Sequence, residues 1–329
     1  MKSDEFTWRS QMARQMICFV DERKCSGYKF LVQERWLRQF DQYCYEKDIT
    51  TETMSAEIME TFSNRNQFES SFTKQVRLRL LRQLAEYLNK SGADVEIPSM
   101  PNKTFLYPRH EPYIFSKKEL RDLFTQIDIW PKVPQDNSKR VIMDPVLFRM
   151  IYGCGLRIME ALRLTVEDID LNEGILHIKN AKNGKDRLVP MAKSLVERCR
   201  AYSNSMHRFS STSDYYFPSI HGNCYNQSSV YIRFRQYLWL AGISHSGNGP
   251  RIHDLRHVFC VHRLKNWVLN GNDLTNLLPY LSAYLGHADF RGTEYYLRLT
   301  VDLYPEIISR LELAHGYIIP ERGAVDEKE

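Results

Sequence analysis

The sequence contains few cysteines, and no two of them form a C-x-x-C pair. The seven are Cys18, Cys25, Cys44, Cys154, Cys199, Cys224 and Cys260. An odd and unpatterned set is typical of reduced thiols rather than of a disulfide framework or a zinc site. The chain also lacks an obvious cluster of carboxylates that could hold a metal ion. We therefore expect neither a metal nor another cofactor.

Long apolar runs are absent as well, since none approaches the roughly 18 residues of a membrane span. The first residues, MKSDE, are polar and no apolar signal core follows them. These absences predict a soluble protein of the cytoplasm with no membrane partner. Internal repeats and low-complexity tracts are also missing. Charge of one sign is not in large excess: the net charge is +5 and the pI about 8.7. This balance permits a polyanionic partner without requiring one.

The 329 residues suffice for two domains with buried cores. In the first hundred residues, apolar positions recur at helical spacing in four segments. These segments cover about 6–20, about 28–45, a stretch after Thr51, and about 70–89.

The fourth predicted helix has an apolar stripe at Phe72, Val76, Leu80 and Leu84. The rest of its surface is basic, with Lys74, Arg77, Arg79 and Arg82. A basic helix face can be simply solvated, or it can contact phosphates. The sequence leaves both readings open, and these four residues are the candidates for contacts with the phosphates of a polyanionic partner.

Four prolines between 98 and 112 predict an extended linker, because proline disfavours helix. The predicted domains are therefore a helical domain over 1–97, the linker over 98–112 and a second domain over 113–329. Ser116 and Glu119 have the spacing of a capping box that begins a helix. Another helix is expected to begin near Asp144, with Pro145 in its first turn.

Two short alternating apolar segments, 174–178 and 187–189, flank the dipeptide Asn183-Gly184. Asn-Gly favours a tight hairpin turn, because both of its positions accept positive φ. Beyond a loop at 215–218 the chain is again helical to about His315. The predicted fold class is mainly α with a small antiparallel β-sheet (α+β).

Four stretches of the second domain carry chemistry together. They are GCGLRIME at 153–160, AKNGKDRLVP at 181–190, HDLRH at 253–257, and LGH at 285–287 followed by Tyr295 and Tyr296. Each alone is a weak signal, but their order and spacing resemble the catalytic domain of the tyrosine recombinase (phage integrase) family. The resemblance covers roughly residues 112–315. The helical domain before it resembles that family's core-binding domain in size and character.

The residue types suit the chemistry of a DNA phosphodiester. Displacement at phosphorus builds negative charge on the phosphate oxygens, which requires cations held in fixed positions. Arg157 and Arg256 are the candidates, since a guanidinium is always protonated and donates two parallel hydrogen bonds to phosphate.

The resemblance implies roles for the remaining residues. Tyr296 would attack phosphorus to give a 3′-phosphotyrosine, and Lys182 would protonate the leaving 5′-hydroxyl. His253 would serve as proton-transfer partner and His287 as a phosphate-binding or orienting group. Glu160, one helical turn after Arg157, would orient the neighbouring basic groups.

Each assignment has an alternative in the sequence. Arg157 and Glu160 are also spaced as an ordinary helical ion pair. Lys185 competes with Lys182, and Tyr295 competes with Tyr296, although the spacing from His287 favours Tyr296. His253 could instead cap the helix that follows it. His257 and His262 are expected to be structural.

The segment between Arg256 and His287 is longer than in compact family members and predicts an extended helix–loop–helix. Its end, LPYLSAYLGH at 278–287, resembles transposon-borne branches of the family. An apolar stripe at Tyr304, Ile307, Ile308 and Leu311 predicts an amphipathic C-terminal helix. Such a helix packs on its own domain or, as the resemblance suggests, on a neighbouring protomer.

The resemblance implies a site-specific recombinase or integrase that acts on double-stranded DNA as a homotetramer, with accessory recombination proteins as possible partners. Three alternatives stay open. A type IB topoisomerase-like nicking-closing enzyme uses a similar residue set, a non-catalytic DNA-binding regulator could descend from a recombinase, and a helical protein unrelated to DNA could carry all four motifs by accident.

Overall fold

The computed structural model describes residues 6–100, 111–131, 139–179, 186–247, 249–286 and residue 296. The chain divides into two compact units, Met1–Arg109 and His110–Glu329. This division falls inside the range 98–112 that was predicted as a linker. None of the described helices combines the length and the apolarity that crossing a membrane requires.

The described part of the first unit is helical, as the sequence predicted. Its helices are α1 (Ala13–Cys25), α2 (Leu31–Lys47), α3 (Ala56–Asn64) and α4 (Ser71–Lys90). Ser55 and Ser70 cap α3 and α4, because their side chains accept backbone N–H groups of the first turn. The first helix begins at Ala13 and ends at Cys25, both later than the predicted bounds of 6 and 20.

The buried face of α4 differs from the predicted stripe. Leu81, Leu84 and Leu88 are buried, whereas Phe72 is 40% exposed. Arg77 lies one helical turn before Leu81 and is only 2% exposed. The predicted apolar stripe is therefore wrong in its first half, and Arg77 belongs to the interior rather than to a basic surface.

The second unit is mainly helical around a small sheet. Its helices are α5 (Lys117–Asp128), α6 (Arg140–Gly153), α7 (Ile158–Leu162), α8 (Lys193–Met206), α9 (Gln227–Leu240), α10 (Ile252–Leu269) and α11 (Leu274–Leu285). The strands are β1 (Ile169–Asp170), β2 (Ile175–Ile178) and β3 (Arg187–Pro190), in the antiparallel order β1-β2-β3. The predicted fold class is confirmed, and β2 and β3 are the two strands of the predicted hairpin.

Two predicted helix starts in this unit had different outcomes. The capping box of α5 is confirmed, since Ser116 Oγ accepts from Glu119 N and Glu119 Oε2 accepts from Ser116 N. The predicted start near Asp144 is wrong, because α6 begins at Arg140 and Pro145 lies inside it. The missing N–H of Pro145 removes one helical hydrogen bond. The helix tolerates this loss within a well-buried apolar segment.

The long segment after Arg256 forms the predicted helix–loop–helix. Helix α10 ends at Leu269, four residues form a turn, and α11 begins at Leu274. Leu264, Leu278, Leu281 and Leu285 pack together between the two helices in a small apolar cluster. This packing brings the C-terminal end of α11 back towards the first turns of α10.

Candidate active site

Arg157 stands immediately before the short helix α7, and its side chain is 23% exposed. The backbone N–H of Arg157 donates to Glu160 Oε2 at 2.9 Å, and Arg157 Nη1 donates to Glu160 Oε1 at 2.8 Å. The pairing of these two residues fixes the guanidinium in a partly exposed position. A partly exposed guanidinium held from one side keeps donors for an anion on the other.

Glu160 is the centre of a cluster of three arginines. Besides Arg157, Arg187 donates Nη1 to Glu160 Oε1 at 3.1 Å and Nη2 to Glu160 Oε2 at 2.8 Å. Arg256 Nη1 lies 3.7 Å from Glu160 Oε2. Burial opposes ionisation of this carboxyl, but hydrogen bonds from Arg187 and Arg157 outweigh it and lower the pKa of Glu160 to about 2. Glu160 is therefore a carboxylate throughout the neutral range.

Arg256 lies in the second turn of α10 and is 1% exposed. Its Nη1 donates to Gly155 O at 2.8 Å and its Nη2 donates to Leu285 O at 2.7 Å. Burial and the positive charge of Arg157 both lower the pKa of Arg256. The arginine thus joins three parts of the chain that carry motifs: the 153–160 stretch, α10 and the end of α11.

Gly155 makes this close packing possible. Its φ is +59°, and a Cβ at this position would come within 2.6 Å of the Phe259 ring. Only glycine adopts positive φ without strain and leaves the space that Phe259 fills. The backbone conformation and the packing of Phe259 therefore explain why the first residue of the Gly-Leu-Arg motif is glycine.

Tyr296 is described although its neighbours in sequence are not, and it is 3% exposed. Its hydroxyl interacts with the side chains of Arg256 and Cys260. Burial raises the pKa of Tyr296, the negative charge of an ionised Cys260 thiol would add to this, and Arg256 partly offsets both. Tyr296 is consequently a buried phenol next to a buried guanidinium.

His257 is a contact of Tyr296 that sequence reasoning missed. His257 Nδ1 and the Tyr296 hydroxyl are 3.1 Å apart, and the two rings lie 5.4 Å apart. The ring of His253 stands perpendicular to that of His257 at 4.7 Å. His257 was expected to be structural, yet it touches the candidate nucleophile. The one sequence signal for it is its place one turn after His253 on the same helix.

Several predicted site residues lie outside the described part of the chain. These are Lys182 and its competitor Lys185, His287, Tyr295 and the stripe Tyr304, Ile307, Ile308 and Leu311. The described chain stops at Lys179, three positions before Lys182, and resumes at Asp186. Among the residues that are described, no three histidine, cysteine or carboxylate side chains converge as metal ligands.

The four candidate DNA-binding residues of α4 are not equivalent. Arg77 Nη2 makes hydrogen bonds to both carboxylate oxygens of Glu69, at 2.8 and 2.7 Å, and Arg77 Nη1 donates to Ser63 O. Its guanidinium also lies over the ring of Trp36. Arg77 therefore stabilises the interior of the first unit and does not face a phosphate.

The other three residues of this set stay candidates for phosphate contacts. Arg79 is exposed and Lys74 is half-buried. Arg82 is partly exposed but already donates to Glu86 Oε1 and to Pro98 O. Of the three, Arg79 has the greatest freedom to reach an anion.

Replacing Arg77 by alanine is expected to lower the free energy of unfolding by about 3 kcal/mol, because it leaves Glu69 and buried polar groups without their partner. Arg79→Ala should change that free energy by less than about 0.5 kcal/mol. Arg79→Ala should instead weaken DNA binding and reduce its salt dependence by about one ion. Urea unfolding and binding titrations at several salt concentrations measure both. A stable Arg77→Ala variant with weak DNA binding would contradict the assignment.

Comparison with known proteins agrees with this geometry. Residues 114–302, more than half of the chain, match the model of the phage integrase family. The chain belongs to the phage integrase family. It is a site-specific recombinase, an enzyme that breaks and rejoins DNA strands. The resemblance stated from the four motifs is confirmed, and the alternative of a helical protein unrelated to DNA is excluded.

Two relatives match this recombinase over nearly its whole length, and a third matches 70% of it. A putative integrase/recombinase of Sinorhizobium fredii, y4rE, is 31% identical over 306 residues, which are 91% of this chain and 95% of the relative. A second from the same organism, y4rB, is 30% identical over 89% of this chain and 95% of its own. Tyrosine recombinase XerD of Vibrio cholerae is 28% identical over 70% of this chain and 71% of its own.

Solved structures share the fold of the recombinase. XerH site-specific recombinase, in a post-cleavage complex with its difH substrate, aligns with a TM-score of 0.60 at 20% identity, covering 85% of this chain and 78% of XerH. The Tn1549 transposon integrase in complex with transposon right end DNA aligns with a TM-score of 0.59 at 14% identity, covering 86% of this chain and 94% of the integrase.

Proposed function

We propose that Arg157 and Arg256 bind the scissile phosphate of double-stranded DNA and that Tyr296 attacks its phosphorus. The observation that carries this assignment is a continuous set of contacts within one site. The Tyr296 hydroxyl interacts with Arg256, Arg256 lies 3.7 Å from Glu160, and Glu160 holds Arg157. A nucleophile and two fixed cations next to each other are what displacement at phosphorus requires.

The two guanidiniums would supply the positive charge that stabilises the transition state. As the tyrosine oxygen approaches, negative charge accumulates on the equatorial phosphate oxygens. Arg157 and Arg256 donate to those oxygens without any change in their own protonation. Glu160 is held by its arginines as a carboxylate, so it orients the donors and does not take part in proton transfer.

A bond forms between the Tyr296 oxygen and phosphorus, the bond between phosphorus and the 5′-oxygen breaks, and the DNA keeps a 3′-phosphotyrosine. The tyrosine proton leaves to a histidine; the sequence pointed to His253, and the 3.1 Å contact makes His257 a second candidate. Lys182 gives a proton to the departing 5′-oxygen, and His287 contacts the phosphate.

Burial of Tyr296 has a consequence for this sequence of events. Burial raises the pKa of Tyr296, which disfavours the phenolate. We therefore expect the phosphate to bind Arg157 and Arg256 first. The Tyr296 hydroxyl then moves next to phosphorus, and it loses its proton only at that stage. Cleavage is coupled to binding in this scheme, and the free enzyme keeps its nucleophile protonated.

Lys182→Ala is expected to slow cleavage of ordinary DNA by about 10²-fold or more, because the 5′-oxygen then leaves unprotonated. A substrate with sulfur at the bridging 5′ position should restore most of the rate, since a thiolate leaves without a general acid. Single-turnover cleavage of both substrates measures this. Lys185→Ala is the matched control and should cleave both normally. If Lys185→Ala showed the defect and the sulfur rescue instead, the acid would be Lys185.

Recombination requires more than one protomer, and we propose a homotetramer that assembles on two DNA sites. The segment 304–311 would form a helix that docks on a neighbouring protomer, and accessory recombination proteins could assist assembly. The transposon integrase and the integrase relatives support a mobile element as the source of the DNA sites. We assign the reaction to the cytoplasm.

The assay that tests recombination mixes two DNAs of different length, each carrying an end of the element. A hybrid product that joins the two DNAs is expected. A nicking-closing enzyme would relax a supercoiled plasmid and never form the hybrid. A regulator would bind both DNAs and cut neither.

A further inference from the structure

Arg187 is the first residue of β3, and its side chain is only 8% exposed. The buried guanidinium makes three hydrogen bonds. Its Nε donates to Tyr284 O at 2.8 Å, and its two terminal nitrogens donate to the two oxygens of Glu160. All three bonds lead to segments that carry candidate site residues. Arg187 lies in the second of the four stretches, 181–190, but no sequence pattern assigns it a role.

The bond to Tyr284 concerns the end of α11. The last carbonyls of a helix have no partner within the helix and carry partial negative charge. Here Arg187 donates a hydrogen bond to Tyr284 O, and Arg256 donates one to the next carbonyl, Leu285 O, at 2.7 Å. Two guanidiniums therefore hold the chain just before it enters His287.

Gly286 allows this approach. Its φ is +64°, and a Cβ at this position would lie 3.1 Å from Arg187 Nη1 and 3.3 Å from its Cδ. The backbone passes directly over the guanidinium, and any larger residue would displace one of the two. The segment that leads to His287 is thus located by Arg187.

The bond to Glu160 concerns Arg157. A carboxylate facing Arg157 alone would pair with it and compete with a phosphate for its donors. The two terminal nitrogens of Arg187 instead donate to the two carboxylate oxygens of Glu160, whereas the Arg157 side chain donates to Glu160 through one terminal nitrogen. Arg187 therefore neutralises much of the carboxylate charge and leaves Arg157 available to an incoming anion.

Arg187 also stands at the base of the hairpin, five residues after Lys182 in sequence. Its strand pairs with β2, so the returning end of the hairpin is fixed to the sheet and, through the guanidinium, to Glu160 and α11. A single side chain therefore joins three described elements, β3, α7 and α11, that adjoin Lys182, Arg157 and His287 in sequence.

We propose that Arg187 is a positioning residue of the strand-cleavage reaction, which sets Arg157 through Glu160 and holds the start of β3 and the end of α11, the described residues nearest in sequence to Lys182 and His287. This inference rests on the proposed roles of those residues. Misplacing catalytic groups by about an ångström costs on the order of 10²-fold in rate. Lysine at this position keeps the positive charge but cannot make the two parallel hydrogen bonds to Glu160.

The test compares wild type, Arg187→Lys, Glu160→Gln and the double variant in single-turnover cleavage of a nicked duplex, with DNA affinity and thermal midpoint measured in parallel. Arg187→Lys should keep DNA affinity within about threefold and lose about 10²-fold in cleavage rate. Because Arg187 acts through Glu160, the double variant should be far less impaired than the product of the two single losses. Multiplicative losses, or cleavage by Arg187→Lys within about threefold of wild type, would overturn the proposal.

A second pair of variants covers the case in which Arg187→Lys fails to fold. Gly286→Ala displaces the guanidinium without removing it, whereas Gly271→Ala imposes the same backbone strain at φ +73° with no atom within 4 Å. Gly286→Ala should cleave at least about tenfold more slowly than Gly271→Ala at equal affinity, and equal rates would overturn the proposal. Cleavage is measured on the DNA strand, so the result holds even if the covalent link maps to another residue, which would contradict only the proposed function.

Discussion

Tyr296→Phe is expected to bind DNA with the affinity of the wild type and to cleave it at no measurable rate. The substitution removes one oxygen atom and no apolar contact, so the buried cluster around Phe259 and Leu285 stays filled. Without that oxygen no bond to phosphorus can form, and a loss of at least about 10⁴-fold is expected for a missing nucleophile. Band-shift titration and single-turnover cleavage measure the two quantities.

Tyr280→Phe is the control for this prediction. Tyr280 lies on α11 and is 72% exposed, so the loss of its hydroxyl should alter neither binding nor cleavage. Residual cleavage by Tyr296→Phe above about one part in 10³ of the wild-type rate would move the nucleophile elsewhere, with Tyr295 as the first candidate.

Arg157→Ala is expected to lower the cleavage rate by about 10³-fold while DNA affinity falls by less than about fivefold. The reason is that its guanidinium is held by Glu160 at a fixed place, where it meets charge that develops only in the transition state. Arg157→Lys should recover little of the rate, because an ammonium cannot donate two parallel bonds to a phosphate.

Arg121→Ala, which removes an exposed arginine of α5, is the control for loss of one positive charge in the same unit. It should cleave at the rate of the wild type. Equal losses of affinity and of cleavage rate in Arg157→Ala would make Arg157 an anchor for DNA rather than part of the reaction.

Much of the fold was accessible from the sequence because its signals are local. The Ser116–Glu119 capping box and the Asn-Gly turn between two alternating segments depend on neighbours in sequence, and α5, β2 and β3 follow from them. The start of α6 was missed because Pro145 was taken as a first-turn residue. In the structure the apolar residues before it already belong to the helix.

The burial of Arg77 shows a different kind of error. Its spacing from Leu81, Leu84 and Leu88 is that of one helical face, which indicates an interior position. Its charge indicated a surface position, and its burial is possible because Glu69, eight residues earlier, pairs with the guanidinium and Ser63 O accepts from it. A charged residue on an apolar face therefore requires a search for its partner before it is assigned to a ligand.

The sequence predicted the site residues that occupy recognisable motif positions. It missed the residues that join the site only through tertiary contacts. Arg157, Glu160, Arg256 and Tyr296 were singled out by the four motifs and the family resemblance that these carry, and the structure brings all four together. Arg187 and His257 were not, because a strand arginine and a second histidine on a helix have no distinctive pattern. Their contacts with Glu160 and Tyr296 join residues 27 and 39 positions apart.

The most direct test of the central claim identifies the residue that becomes linked to DNA. Wild-type protein is incubated with a nicked duplex from an end of its element, which stalls religation, and the adduct is digested and mapped by tandem mass spectrometry. Nucleotide mass on Tyr296, and loss of the adduct in Tyr296→Phe but not in Tyr295→Phe, is the predicted result. A nucleotide on Tyr295 or on any other residue, or an adduct that survives in Tyr296→Phe, would contradict the account.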